Sequence, residues 1–106
     1  GYEQMAPLIE NKKSQIAALC ERFHVVRLEV FGSAADGGFD PATSDVDFLV
    51  EFESLEPGAL ANAYFGLHES LRELLKRDID LVTPKSVTNP YLRRAIDESR
   101  RTLYAA

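Results

Sequence analysis

The segment Ser44-Asp45-Val46-Asp47-Phe48-Leu49-Val50 constrains the fold more than any other part of the chain. Its acidic and apolar residues alternate with the period of two that is typical of a β-strand, so Asp45 and Asp47 share one face of the predicted strand. Two adjacent carboxylates on an apolar sheet repel each other and lose hydration, which is costly. A divalent cation between them removes both costs. The segment therefore predicts a β-strand that carries a cation site.

A glycine and a serine, Gly32 and Ser33, follow the apolar pair Val30-Phe31 and precede a loop that contains Gly, Asp and Pro. A turn at Gly32-Ser33 offers backbone N–H groups and a hydroxyl, and such groups bind phosphate. Gly32 and Ser33 are thus candidates for phosphate binding. Capping of a short helical turn is an open alternative for Ser33.

Composition limits the class of protein. A chain of 106 residues with 45% hydrophobic content suits one core, so residues 5–106 are expected to form a single domain. A net charge of -5 argues against direct nucleic-acid binding. We expect a cytoplasmic protein without membrane association, because the sequence has no long apolar span and Cys20 is its only cysteine. Residues 1–4, ahead of Met5, look like a remnant of an expression vector.

The apolar spacing predicts alternating helices and strands, and hence an α/β (α+β) fold with a small mixed sheet packed by helices. Helices are predicted over residues 6–23, from about Leu60 to about Arg77, and from the Asn89 cap to Leu103, with one short turn at Ala34-Ala35. Strands are predicted over Val26–Val30, Asp45–Phe52 and Asp78–Thr83. Four arginines of the closing segment form either a solvated face or a surface for an acidic partner: Arg93, Arg94, Arg100 and Arg101.

The third predicted strand carries one more acid of interest. Asp80 stands between Ile79 and Leu81 and therefore faces away from both, as Asp45 and Asp47 face away from their apolar neighbours. If the two strands are adjacent, three carboxylates meet. Asp78 is the weaker candidate, because an exposed acid after Lys76-Arg77 is ordinary. The alternative for the pair Asp45 and Asp47 is a solvated strand face without function.

Together these motifs resemble a known family. Phe31-Gly32-Ser33, an eleven-residue spacer, Asp45-Val46-Asp47 and a distant Asp80-Leu81-Val82 are similar to the signature of the DNA polymerase beta-type nucleotidyltransferases. The chain most resembles the minimal nucleotidyltransferases (MNT), small proteins encoded beside HEPN-domain toxins. The resemblance implies the polymerase beta-like nucleotidyltransferase fold.

The resemblance also implies roles for residues. Asp45, Asp47 and Asp80 would be catalytic and would bind one or two Mg²⁺ ions, and Asp80 would accept the proton of the attacking hydroxyl. Gly32 and Ser33 would bind the phosphates of ATP. Ser44 joins this nucleotide-binding set, although turn formation is the stronger interpretation for it.

The implied function is that of an antitoxin that transfers AMP from ATP to a hydroxyl, expected to be a tyrosine, of a cognate HEPN ribonuclease toxin, with release of pyrophosphate. One departure is the stretch Ala34–Gly38, where the family commonly has a base and this chain has Asp36. Two alternatives stay open: an antitoxin that neutralises by binding alone, and transfer to a small molecule such as an aminoglycoside.

Overall fold

A computed structural model describes residues 5–40 and 44–106 of the chain. The expected vector remnant at residues 1–4 and the loop residues 41–43 lie outside the described part. The elements in chain order are α1 (Pro7–Glu10), α2 (Lys13–Arg22), β1 (Val25–Phe31), α3 (Ser33–Asp36), β2 (Val46–Phe52), α4 (Pro57–Leu75), β3 (Ile79–Val82), a 3-10 turn (Pro84–Ser86), α5 (Pro90–Ser99) and β4 (Arg101–Ala105).

The four strands form one sheet in the order β3-β2-β1-β4. β1 pairs antiparallel with β2 and with β4, whereas β2 and β3 run parallel. The predicted mixed sheet is therefore confirmed, and the two strands that carry the acids are adjacent, which is the condition that the sequence left open. The short helical turn predicted at Ala34-Ala35 is also present, as α3.

The main core lies on the face of the sheet that α1, α2 and α4 cover. Val46, Phe48 and Val50 of β2 are fully buried on this face, as the alternation in β2 predicts. Cys20 is buried here as well, and burial raises the pKa of its thiol to about 12. The thiol is thus an inert part of the core.

The other face carries a smaller apolar cluster beneath α5. It contains Phe31, Leu49, Val87 and Ile96, against which Val82 packs. Because Phe31 and Leu49 belong to β1 and β2, α5 is held directly on the face of the sheet to which Asp47 also belongs. None of the described helices has the length and apolar character needed to cross a bilayer.

The single helix predicted over residues 6–23 is wrong in one respect, because two helices occupy this range. α1 ends at Glu10 and α2 begins at Lys13, and Lys12 between them has φ -115° and ψ 11°. Ile9 and Ile16 are both fully buried on either side of the break. Their spacing fits an unbroken helix equally well, so periodicity does not reveal the break.

The closing helix predicted to reach Leu103 is also wrong at its end. α5 stops at Ser99, Arg100 adopts φ -60° and ψ 136°, and Leu103 lies in β4. β4 pairs with the outer edge of β1, where Leu28 opposes Tyr104. The reason is tertiary. The open edge of β1 offers backbone hydrogen bonds to β4, and the five residues of β4 are too few for their own pattern to identify them as a strand.

Candidate active site

The register of β2 and β3 brings two of the predicted acids together. Asp47 and Asp80 are direct partners in this parallel pair, so their side chains lie on the same face. Asp47 also opposes Phe31 at the end of β1, next to Gly32. Asp45 is exposed and directly precedes β2, which begins at Val46 rather than at the predicted Asp45. Asp45, Asp47 and Asp80 thus lie near one another at one end of the sheet, close enough for the charges of Asp45 and Asp80 to act on Asp47.

The electrostatics of Asp47 show an uncompensated charge. The pKa of Asp47 is raised to about 6, first because the carboxyl is partly buried and then because of the negative charges of Asp80 and Asp45. Within residues 5–40 and 44–106, none of the three acids forms an ion pair with a lysine or arginine. A bound cation would supply the compensation that the described side chains lack.

The carboxylates are not preassembled around a metal position. In the described part of the chain, no group of three or more His, Cys, Asp or Glu side chains is arranged to hold a metal ion. Without a cation, like charges favour separation over convergence. The metal-binding role of Asp45, Asp47 and Asp80 therefore stays a prediction.

Gly32 is required first by its backbone conformation, and its Cα faces Asp47. Its φ is +72°, and a Cβ atom built at this residue would lie 2.9 Å from Asp47 Oδ2. Any other residue would therefore combine backbone strain with a close contact to the carboxylate. The Gly32 carbonyl accepts hydrogen bonds from the N–H groups of Ala35 (3.0 Å) and Asp36 (3.2 Å), which forms α3 directly after the turn. Ser33 is the first residue of α3 and directly follows Gly32.

Asp36 ends α3 and stands where the family that the sequence resembles commonly has a base. Asp36 is exposed, and its Oδ1 accepts a hydrogen bond from the N–H of Gly38 at 3.1 Å. This contact is an Asx-type turn, a frequent role of aspartate in loops. Asp36 therefore has a local structural role.

Ser44 has the turn-forming role that the sequence favoured. Its N–H donates to the carbonyl of Asp40 at 2.9 Å, and its Oγ accepts from the N–H of Asp40 at 3.0 Å. The hydroxyl hydrogen is not used in these two contacts. Nucleotide binding by Ser44 stays a prediction.

Sequence reasoning missed Arg77, which supports the same loop. Its guanidinium lies 5.0 Å from the centre of the Phe39 ring, and its Nη1 donates to the Ser44 carbonyl at 3.1 Å. Its buried Nε has no hydrogen-bond partner among the described residues. The arginine thus links the end of α4 to the segment that leads into Asp45, a tertiary contact with no sequence signal.

Sequence reasoning also missed two residues at the end of α5. Ser99 Oγ accepts a hydrogen bond from the N–H of Gly32 at 2.8 Å. Arg100 donates to the buried acid Glu29 through Nη2 at 2.6 Å and Nε at 3.0 Å. Arg100 therefore meets an acid of its own chain, and the end of α5 is joined both to β1 and to Gly32, which directly follows β1.

Comparison with known proteins identifies the family. Residues 12–103 match the model of the nucleotidyltransferase domain. A protein of Methanocaldococcus jannaschii named "Putative protein adenylyltransferase" is 35% identical over 80 residues, which cover 76% of this chain and 78% of that protein.

Two solved structures share the fold. A "putative minimal nucleotidyltransferase" is 29% identical with a TM-score of 0.70, over 95% of this chain and 98% of its own. The MNT antitoxin complex with a tri-AMPylated HEPN toxin of Shewanella oneidensis matches at 19% identity and a TM-score of 0.60, over 92% of this chain and 72% of the matched chain. The sequence motifs and the fold agree with the family model and with the Methanocaldococcus jannaschii relative. They lead to one conclusion: this chain belongs to the nucleotidyltransferase domain family and is a nucleotidyltransferase.

Proposed function

We propose that the protein is a Mg²⁺-dependent protein adenylyltransferase that acts as an antitoxin. It transfers AMP from ATP to a hydroxyl, expected to be a tyrosine, of a cognate HEPN ribonuclease toxin in the cytoplasm, and pyrophosphate leaves. Residues 5–106 act as one minimal nucleotidyltransferase domain in this proposal. The observation that carries it is the pairing of Asp47 with Asp80 beside Gly32, with the pKa of Asp47 raised to about 6.

The donor set fits magnesium. Asp45, Asp47 and Asp80 offer only carboxylate oxygens, which Mg²⁺ prefers, and their mutual repulsion is the cost that a cation relieves. When bound, the metal supplies neutralisation of the triphosphate and stabilises charge at the entering and leaving oxygens. His24 and His68 are not part of this donor set: the ring of His24 contacts Glu53, and that of His68 contacts the Ile79 carbonyl.

The chain itself positions the nucleotide and handles a proton. Gly32 leaves room for phosphate near Asp47, and the Ser33 hydroxyl donates to a β- or γ-phosphate oxygen. Ser44 contributes its remaining hydroxyl hydrogen to a phosphate oxygen. Asp80 accepts the proton of the attacking hydroxyl as that oxygen forms its bond to the α-phosphorus and the bond to pyrophosphate breaks.

Two comparisons support the choice of AMP and of a protein acceptor. The Methanocaldococcus jannaschii relative is named a protein adenylyltransferase, and the identity to it exceeds 30% over most of both chains. The Shewanella oneidensis complex joins an MNT antitoxin of this fold to an AMPylated HEPN toxin. Both favour a protein hydroxyl over a small-molecule acceptor.

The test is an intact-mass measurement. The protein is incubated with ATP, Mg²⁺ and the HEPN protein encoded beside it, and we expect the HEPN protein to gain one or more AMP units. Asp45→Asn and Asp47→Asn should each lower the rate at least about a thousandfold, since metal ligation stabilises the transition state by several kcal/mol. Asp78→Asn is the matched control, because Asp78 is an exposed acid next to β3 and should leave the rate unchanged.

Two outcomes would favour the alternatives. Neutralisation of the toxin without any change in its mass would support an antitoxin that acts by binding alone. A mass increase on an aminoglycoside, with none on the HEPN protein, would support transfer to a small molecule.

A further inference from the structure

The amide of Gly32 is held by a residue far away in the sequence. Its N–H donates to Ser99 Oγ at 2.8 Å, across a separation of 67 residues. Ser99 Oγ in turn donates to the carbonyl of Ala95 at 2.7 Å, one turn earlier in α5. The hydroxyl therefore has a defined orientation and presents a lone pair to Gly32.

Gly32 is thus held at both of its backbone polar groups. On its amide side, Ser99 accepts the N–H. On its carbonyl side, Gly32 accepts the N–H groups of Ala35 and Asp36. Because both peptide planes of Gly32 are engaged, the direction in which the chain enters Ser33 is determined by these contacts.

The end of α5 is a rigid support for this contact. Arg100, the next residue, bonds to Glu29 of β1 through two nitrogen atoms, and Glu29 is only 3% exposed. Ile96, one turn earlier, is buried against Phe31 and Leu49. Ser99 therefore lies between an ion pair and an apolar contact that both hold α5 on the sheet.

We propose that Ser99 is a positioning residue for nucleotidyl transfer, which acts by orienting the Gly32-Ser33 turn toward the phosphates. The proposal rests on the proposed function, because it concerns the same site. In this proposal the Gly32 N–H is bound to Ser99 and does not contact phosphate, so Ser33 provides the phosphate contact of the turn. Loss of the Ser99 hydroxyl frees the Gly32 peptide to rotate, and small displacements of reacting groups are costly for catalysis.

The experiment compares three variants. Ser99→Ala removes the hydroxyl, and Ser99→Thr retains one. Ser86→Ala is the matched control, since Ser86 Oγ also accepts from a backbone N–H, that of Thr83 at 3.2 Å, and donates to a carbonyl at 2.8 Å, but in the 3-10 turn. For each variant we would measure kcat and KM for ATP, the Kd of the unreactive analogue AMP-PNP with Mg²⁺, and the melting temperature.

For Ser99→Ala we expect kcat/KM to fall about tenfold or more and the Kd of the analogue to rise about fivefold, because the turn is no longer preorganised. Ser99→Thr should keep kcat/KM and Kd close to the wild-type values. Ser86→Ala should change neither quantity by more than about twofold, even if its melting temperature falls as much as that of Ser99→Ala.

Equal effects of Ser99→Ala and Ser86→Ala, or unchanged values for Ser99→Ala, would overturn the proposal. If the wild-type protein binds the analogue but transfers no nucleotide, the proposed function fails, and the comparison of Kd values still decides the role of Ser99. If the wild-type protein does not bind the analogue at all, both proposals are overturned.

Discussion

Glu29 and Asp47 are acids on the same face of two neighbouring strands, yet their surroundings are opposite. Glu29 is 3% exposed and contacts Arg100 at 2.6 Å and Arg27 at 3.2 Å, and the hydrogen bond from Arg100 is the main reason why its pKa lies below the usual range. The pKa of Asp47 is raised to about 6, first by partial burial and then by the negative charges of Asp80 and Asp45, and no described lysine or arginine pairs with it.

The difference separates an acid with a structural role from the acid that we propose to be functional. The charge of Glu29 is compensated within the chain, so it contributes to the attachment of the α5 end to β1. The charge of Asp47 is costly in the folded protein unless something outside the chain compensates it. Uncompensated acids of this kind are concentrated at functional sites.

The largest effect on stability should follow from removal of Arg100, the closer of the two arginines that contact Glu29. Arg100→Met leaves a buried carboxylate with only Arg27, so we expect the free energy of unfolding to fall by about 3 kcal/mol, as measured by urea denaturation at pH 7. Arg94→Met, an exposed arginine on the same helix, is the control and should change stability by less than about 0.5 kcal/mol. Equal losses in the two variants would show that the Glu29 contact contributes nothing.

A smaller effect of opposite sign should follow from Asp47→Asn in metal-free buffer. The raised pKa means that the folded state binds the proton more tightly than the unfolded state, so this contribution to stability is present below about pH 4 and is lost as the pH rises through about 6. At pH 7 the ionised Asp47 is therefore destabilising. Its neutral replacement should raise the free energy of unfolding by about 2 kcal/mol, after allowance for partial exposure.

The control for this substitution is Asp78→Asn, an exposed acid outside the site that should leave the melting temperature nearly unchanged. A lower melting temperature for Asp47→Asn would mean that the charge of Asp47 is compensated after all, and the contrast with Glu29 would disappear.

The smallest effect concerns the pH dependence of Mg²⁺ affinity. Protons compete with the metal for Asp47, so the Kd of Mg²⁺ measured by calorimetry should be about tenfold higher at pH 5 than at pH 7, with the rise beginning as the pH falls below about 6. The Asp47→Asn protein should show no such rise. A constant Kd between pH 5 and pH 7 in the wild-type protein would contradict a metal-binding role for Asp47.

Sequence patterns were sufficient to predict the strand that carries Asp47 and the face of the sheet on which its side chain lies. The period of two in β2 separates the acids from Val46 and Phe48, and the same rule selects Asp80 in β3. The patterns failed at β4 and at the break between α1 and α2. In both places the outcome depends on what the rest of the molecule offers, a free strand edge or room for a second helix against the core.

The sequence by itself determined the elements with strong periodicity, the candidate acids and the Gly32-Ser33 turn, because these depend on local spacing and on residue chemistry. Only the tertiary structure decided which acid is compensated. Arg100 lies 71 residues from Glu29, and Ser99 lies 67 residues from Gly32, so no local pattern links them. The opening segment therefore predicted a pair of acids, and the packing of the end of α5 on the sheet gave Glu29 an arginine partner but gave Asp47 none among the described residues.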